Sequence, residues 1–261
     1  MDFETIKLDC DGGVARLTFN RPERRNAFIV RMHEEIHLAL DAALADPATR
    51  LLTITGAGSA FCAGQDLAER DAGAAEIDLG ANIEQYYNPL ITRLVSLPVP
   101  YLCAMNGVAA GAGVGIALAA DLCIARRSAR FVQAFSTIGL VPDAGSSWHL
   151  PRSVGMARAM GFTLLGEPLS ADLAADWGMI WRAVDDDQFD TEVHRIEQQL
   201  ATGPTRGLVL AKQALRAATS QPLASQLEME RDGQRAAGRT QDYREGVTAF
   251  KEKRQAGFIG R

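Results

Sequence analysis

The chain is 261 residues long, 47% apolar and 23% charged, an ordinary globular balance with length enough to bury a large core in one domain with an appendage. A net charge of −5 without any dense basic run argues against a nucleic-acid partner, and no apolar stretch approaches the ~20 residues that span a bilayer. The opening MDFETIKLDC carries acidic residues and no apolar core, unlike a signal peptide.

In chain order, Phe3 to Leu8 and Val14 to Phe19 alternate as two strands around the Asp11-Gly12-Gly13 turn. Ile29, Met32, Ile36, Leu40 and Leu44 share one helical stripe that ends near Asp46-Pro47. Leu51 to Thr55 reads as a buried strand leading into GAGSAFCAGQDL at Gly56 to Leu67. Asp71 to Gly80, rich in Ala, Gly and Asp, reads as a mobile loop over a site or as plain linker. Ile83 to Leu97 has helical spacing, interrupted at Pro89. Tyr101 to Met105 is another buried strand, leading into NGVAAGAGVG at Asn106 to Gly115 and a short helix through Ala119. Leu122 to Ala125 and Arg130 to Gln133 read as strands, and from about Asp187 helical patterns dominate, broken at Gly203-Pro204 and Gln221-Pro222. Such alternation argues for an α/β fold with crossover connections, followed by a helical appendage of ~60 residues. Cys10, Cys62, Cys103 and Cys123 lack CxxC spacing, and three of them read as buried thiols suited to a reducing cytoplasm.

Each glycine segment follows a strand and leads toward a helix, the arrangement by which a backbone presents bare N–H groups to something oxygen-rich. Two such segments suggest two donors aimed at one oxygen, the construction of an oxyanion hole. Close helix–sheet packing is the other reading of either segment alone. A dinucleotide fingerprint is a poor match, because the acidic residue of the following strand, Asp121, stands at its start rather than its end. The phosphate-loop pattern ending in Gly-Lys-Ser/Thr is absent.

The strings NRPERRNA (Asn20 to Ala27), AFCAGQDL (Ala60 to Leu67), NGVAAGAGVGIALAAD (Asn106 to Asp121) and GLVPDAGSSWHLPR (Gly139 to Arg152) resemble the enoyl-CoA hydratase/isomerase, or crotonase, superfamily, in order and over essentially the whole chain. The resemblance implies an α/β, crotonase-like spiral of ββα units. Its core, with the active site, would span residues 1–200, and a C-terminal helical trimerisation region residues 201–261. It also implies an acyl-CoA thioester substrate, with coenzyme A part of the substrate and no separate cofactor or metal, and a cytoplasmic homotrimer or dimer of trimers. By motif, the thioester oxygen would be held by the backbone N–H groups of Gln65 and Ala112. Enolate charge develops on that oxygen, and removing one such donor typically costs ~3 kcal/mol of barrier. Ala112 would open a helix, whose dipole adds to the effect. The resemblance further places Arg25, Ala27, Ala63, Asp66, Leu67 and Gly111 along the substrate. Phe250 and Lys253 match a C-terminal pattern that touches the CoA nucleotide, sometimes from a neighbouring subunit. From the residues alone, Arg24 and Arg25 suit CoA phosphates or a solvated charge cluster, and Asp66 and Asp121 read as turn and strand-end anchors.

Hydratases of this superfamily use two glutamates, which by motif would fall at Gly115 and Phe135. Neither position carries a carboxylate here. Adding water requires its deprotonation and protonation of the α-carbon, so the resemblance implies isomerisation instead. One carboxylate, Asp143, falls where other members act catalytically, and one suffices to move a proton between two carbons of an allylic system. Its sequence neighbours Phe135, Ile138, Leu140, Val141 and Trp148 suggest an apolar pocket that raises its proton affinity. A helix N-cap or turn is the alternative role for Asp143. Related aroyl-CoA dehalogenases use an aspartate at this position with a histidine in the helix before the second glycine loop, and Ile83 to Leu97 has none. Glu84, Tyr86 and Tyr87 line an acyl pocket or belong to a packed amphipathic helix. His33 and His37 have the i, i+4 spacing of metal ligands, but no third ligand is apparent, and they read as surface residues. Further strings, among them YYNPL and AADWGMIWRAVDD, resemble the branch that rearranges ring-epoxide aryl-CoA thioesters and shifts 3-enoyl double bonds.

Overall fold

The computed structural model describes residues 2–69 and 78–261. Of the segment Asp71 to Gly80, residues 71–77 lie outside the described residues. The chain opens with strands β1 (Ile6–Asp11) and β2 (Val14–Phe19), paired antiparallel around Gly12-Gly13, and continues into helix α1 (Val30–Ala45). The first strand begins three residues later than the alternation suggests. Buried Glu35 of α1 accepts the Glu4 and Thr5 amides at 3.0 and 2.8 Å and the Thr5 hydroxyl, which diverts these amides from strand pairing, although the Thr5 carbonyl still accepts the Asn20 amide at 2.8 Å. Burial pushes the Glu35 carboxyl up, but these bonds and Arg31 outweigh it and hold it below its ordinary range.

The spiral then repeats. Strands β3 (Leu51–Gly56), β5 (Tyr101–Met105), β7 (Leu122–Arg126) and β10 (Arg182–Val184) add in parallel to β2, giving a six-stranded sheet of order β1-β2-β3-β5-β7-β10. Short strands β4 (Ala60–Cys62), β6 (Val108–Ala110), β8 (Arg130–Val132) and β9 (Leu169–Ser170) form a second sheet in that order. From β3 to β8 each turn of chain therefore delivers one strand to each sheet before helical structure returns it. The glycine segments are not simple loops, since each contains a strand of the small sheet. Three-residue strands of Ala, Val and Cys carry too little period to be read as strands in sequence.

Period-two burial divides the large sheet. Leu51, Leu102, Ala104 and Ile124 face helix α8 (Phe189–Ala201) in one cluster, while Leu52, Ile54, Tyr101, Cys103 and Met105 face the main core. Cys62, Cys103 and Cys123 are buried and only Cys10 is exposed. Burial pushes the Cys62 thiol up to about 12 and keeps it neutral.

The helical segment before β5 is continuous: α2 (Leu79–Asn82), a π-helical turn (Ile83–Tyr87) and α3 (Asn88–Val95). Pro89 therefore opens α3 rather than interrupting a helix. The Asn88 amide reaches back to the Ile83 carbonyl, and this wider turn accommodates a ring that would clash in an α-helix interior.

Helix α4 (Ala112–Leu118) lies fully buried between β6 and β7. Helices α5 (Ser146–Val154), α6 (Met156–Leu165) and α7 (Ala171–Asp176) follow β8, and from Phe189 onward the described elements are helices: α8, α9 (Thr205–Ala217), α10 (Leu223–Ala237) and α11 (Gln241–Glu252). Asp121 joins this last part to the sheet. Its carboxylate accepts the Tyr101 amide at 2.8 Å, Lys212 at 3.0 Å and Arg216 at 2.9 Å, and Arg216 also caps α4 by donating to the Ala119 carbonyl. Lys212 is buried at 8% exposure, so removing Asp121 strands an ammonium in the interior. Asp121→Ala is expected to lower the unfolding free energy by about 3–5 kcal/mol. Urea denaturation would measure this, with Lys212→Met giving a smaller loss.

Candidate active site

Three segments converge beside the small sheet: residues 20–28, the first glycine segment and the second. Buried Asn26 fastens the first two, its side-chain amide donating to the Ala57 and Ala60 carbonyls at 2.9 and 2.8 Å while its oxygen accepts the Arg21 amide. Arg25 and Asn26 adopt left-handed backbone, φ 51° and 57°, the tight turn that aims the Asn26 side chain inward. Asn106 fastens the third, accepting the Gly56 amide at 3.0 Å and donating to the Gly58 carbonyl at 3.0 Å. Both asparagines lie within the family-like strings, but nothing in composition marks them as pins.

Gln65 sits between two backbone bonds, Phe28 amide to Gly64 carbonyl at 2.7 Å and Asp66 amide to Phe28 carbonyl at 2.8 Å. Its own amide has no hydrogen-bond partner among the described residues. The same is true of Ala112, the first residue of α4, where no intrahelical carbonyl is in reach. A left-handed glycine directly precedes each: Gly64 at φ +86° and Gly111 at φ +52°. This backbone is disfavoured for other residues and turns the following N–H out of the ladder. The segments touch, for a Cβ on Gly64 would lie 3.0 Å from the Ala110 carbonyl oxygen and 3.6 Å from the Ala112 nitrogen.

The structure brings Ala27, Ala63, Gln65, Asp66, Gly111 and Ala112 into this cluster, with the Ala63 amide donating to the Arg25 carbonyl at 3.0 Å. Arg24, Arg25 and Leu67 are exposed at its edge. Asp66 is fastened by Arg21 at 2.9 Å. Burial pushes its carboxyl up, but bonds from Arg21 and the Ala68 amide hold it below its ordinary range. Phe250, 86% exposed, and Lys253 stand apart at the end of α11, which is tied down instead by Asp242 accepting the Ile259 and Gly260 amides. The Gln65 side chain does not point at solvent, since its oxygen accepts the Tyr87 hydroxyl at 2.7 Å.

Asp143 lies in the turn before α5. The N-cap of that helix is Gly145, so the capping alternative is not realised; instead the Asp143 carbonyl accepts the Ser146 amide at 2.9 Å. Ala144 and Gly145 are both left-handed, at φ 48° and 75°. Left-handed backbone costs a residue with a Cβ about 1–2 kcal/mol. The turn holds because Ala144 is pressed into α4: a Cβ on Gly115 would lie 2.2 Å from the Ala144 carbonyl oxygen. No side chain fits at position 115 while the turn stands. The half-buried Asp143 has its Oδ1 sealed from solvent. Phe135 is buried, and a Cβ on Gly111 would lie 3.6 Å from its ring. The apolar surroundings expected from sequence are only partly present. Ile138, Val141 and Trp148 are 56%, 78% and 42% exposed, and Trp148 stacks on Arg152 instead.

His33 corrects the surface reading. It is 2% exposed, packed against the rings of Phe28, Tyr86 and Tyr87 at 4.8, 5.5 and 4.5 Å. Burial, then the nearby His37, lowers its pKa to about 3. Among the described residues no group of three potential metal ligands forms.

The family described as "Enoyl-CoA hydratase/isomerase" matches residues 9–261. The chain is 51% identical over 260 residues, 99% of each chain, to the 1,2-epoxyphenylacetyl-CoA isomerase of Escherichia coli. It is 45% identical, over the whole of both chains, to a "Probable enoyl-CoA hydratase" of Rhodobacter capsulatus. The crystal structure of enoyl-CoA hydratase from Bacillus anthracis superposes with a TM-score of 0.93 at 31% identity, covering 99% of this chain and 100% of that one.

The packing of Gly115 on Ala144 predicts that Gly115→Ala destabilises by about 1–3 kcal/mol through overpacking and displaces the Asp143 carboxyl, checked by urea denaturation and a crystal structure of the variant. Acid also acts on the buried histidines: His149 is lowered to about 4 by burial, then by Arg216 and Arg152. An unfolded histidine takes up a proton near pH 6.5 that His33 and His149 refuse when folded, so stability is full above that value and falls as pH drops below it. Between pH 6.5 and 5 the slope each contributes steepens from about 0.7 toward about 1.4 kcal/mol per unit. Denaturant midpoints across that range should fall, and His33→Leu should flatten the fall.

Proposed function

This chain belongs to the enoyl-CoA hydratase/isomerase family, and on that premise we propose that it isomerises acyl-CoA thioesters, converting ring 1,2-epoxyphenylacetyl-CoA to the seven-membered oxepin-CoA and shifting 3-enoyl-CoA double bonds to the 2-position. The thioester oxygen sits between the amides of Gln65 and Ala112. Asp143 takes a proton from the carbon next to the thioester, and the resulting enolate charge falls on that oxygen, where donors fixed in advance stabilise it without reorganising. Protonated Asp143 then returns the proton to the far carbon of the allylic system, which moves the double bond and regenerates the carboxylate. In the ring epoxide the same enolate stabilisation drives the electron shift that expands the ring. Coenzyme A enters as part of the substrate, and no other cofactor is needed.

The observation that carries this reading is the contact of Gly115 with Ala144. Where a hydratase of this family places one glutamate, the backbone of the Asp143 turn already fills the space, and Phe135 replaces the other. Hydration needs carboxylates that this arrangement lacks, whereas a proton transfer needs only Asp143. The 51% identity to the isomerase of Escherichia coli supports the aryl substrate.

We further read the protein as a cytoplasmic homotrimer or dimer of trimers. Helix α10 buries no residue within its own chain, and Leu223 and Leu227 stand 71% and 54% exposed on it. In such an assembly Phe250 and Lys253 would meet a CoA nucleotide of a neighbouring site.

Asp143→Asn tests the mechanism. Turnover of a 3-enoyl-CoA and of the epoxyphenylacetyl-CoA, followed by absorbance and mass, should fall by about 10³-fold or more while acyl-CoA affinity stays within a few fold. Exchange of α-protons with deuterated water should disappear with it. A variant that retains most activity refutes the proton shuttle.

A further inference from the structure

The Tyr87 hydroxyl reaches the site through another residue's side chain. Gln65 carries a bare amide, and its backbone is held on both sides by Phe28. Its side-chain oxygen accepts the Tyr87 hydroxyl at 2.7 Å from the helical segment before β5, 22 residues away in the chain. Two backbone bonds fix the strand direction at this position; a third, from the side chain, fixes rotation of the Gln65 residue itself.

Tyr87 is well placed to act as a fixed point. It is 1% exposed, edge-on to His33 at 4.5 Å and 82°, and tilted on Phe28 at 6.1 Å. It closes the π-helical turn Ile83–Tyr87. A π turn inserts one residue into the helical phase and recurs at functional sites. Here Tyr87 joins the buried stripe of Leu90, Ile91 and Leu94, while Glu84 and Gln85 face outward. Phe28 appears in both sets of contacts, bonded to the residues flanking Gln65 and packed on the ring that holds Gln65.

We propose that Tyr87 is a positioning residue: its hydroxyl, acting through the Gln65 side-chain oxygen, holds the Gln65 amide on the line of the thioester oxygen. This rests on the reading of that amide as a donor to the substrate. The tyrosine touches no reacting atom, so its effect belongs to kcat and to polarisation of the bound carbonyl rather than to substrate affinity.

The test uses Tyr87→Phe, which keeps the ring, Gln65→Met, which removes the acceptor at similar length, and the pair together. Each is mixed with a 2-enoyl-CoA labelled with carbon-13 at the thioester carbon, and the carbonyl stretch is read by isotope-edited infrared difference. Wild type should shift the stretch to lower frequency relative to water. Tyr87→Phe should lose a substantial part of that shift and lower kcat about tenfold, with KM within about threefold and thermal midpoint nearly unchanged. The double variant should lose no more than the larger single loss, since both remove one interaction. Wild-type shift and kcat in Tyr87→Phe, additive losses, or a loss of thermal midpoint without a change in the stretch would each overturn the role of Tyr87. An unshifted stretch in wild type would overturn the donor reading on which it rests.

Discussion

The site depends on the close approach of two backbones, that of residues 60–65 and that of residues 108–113. Parallel pairing of β4 with β6 brings them together, and Asn26 and Asn106 hold the first segment against its neighbours. Side chains would force the segments apart, which is why glycine stands at 64 and 113: a Cβ on Gly113 would lie 2.5 Å from the Cys62 carbonyl oxygen. The left-handed glycines just before Gln65 and Ala112 then leave two amides outside the ladder. Backbone amides so held keep their direction, because moving one means moving a sheet.

The same close packing shapes the Asp143 turn. At position 115 the carbonyl of Ala144 occupies the room a side chain would need. The strained Ala144 turn is tolerated because α4 presses against it, and that turn presents Asp143. Absence of one carboxylate and placement of the other are thus one packing arrangement.

Helix α4 is held at both ends by different means. At its start it lies against the first glycine segment, and at its end Arg216 donates to the Ala119 carbonyl while Asp121 gathers Lys212 and Arg216 from α9. Buried charge is expensive unless fully paired, so this cluster couples the helical C-terminal part to the strand ends of the sheet. The last helices therefore contribute to the site's rigidity from a distance, whatever their faces meet outside the chain.

Much of this was legible in the sequence. Strand β2, the helix α1 stripe, strands β3, β5 and β7 and the late helices follow from hydrophobic period, and the family strings imply the spiral and point to Gln65, Ala112 and Asp143. Composition also explains why Cys62, Cys103 and Cys123 are buried. Strand β8 also matches the run read at Arg130 to Gln133, whereas the short strands β4, β6 and β9 were hidden because two or three residues carry no period. The π turn at Ile83–Tyr87 was hidden because Pro89 signals a break but not how a helix absorbs it. His33 shows the limit most plainly: with no third metal ligand in sight it read as a surface residue, yet Phe28 and, from more than fifty residues away, Tyr86 and Tyr87 enclose it. Sequence by itself determined which residues lack a Cβ, which carry a carboxylate and which strings belong together, because these are properties of the residue types. Only the tertiary structure decided what those gaps admit, that Gly64 faces Ala112, that Gly115 receives Ala144 and that Tyr87 reaches Gln65, because each is a contact between segments whose distance no local preference encodes.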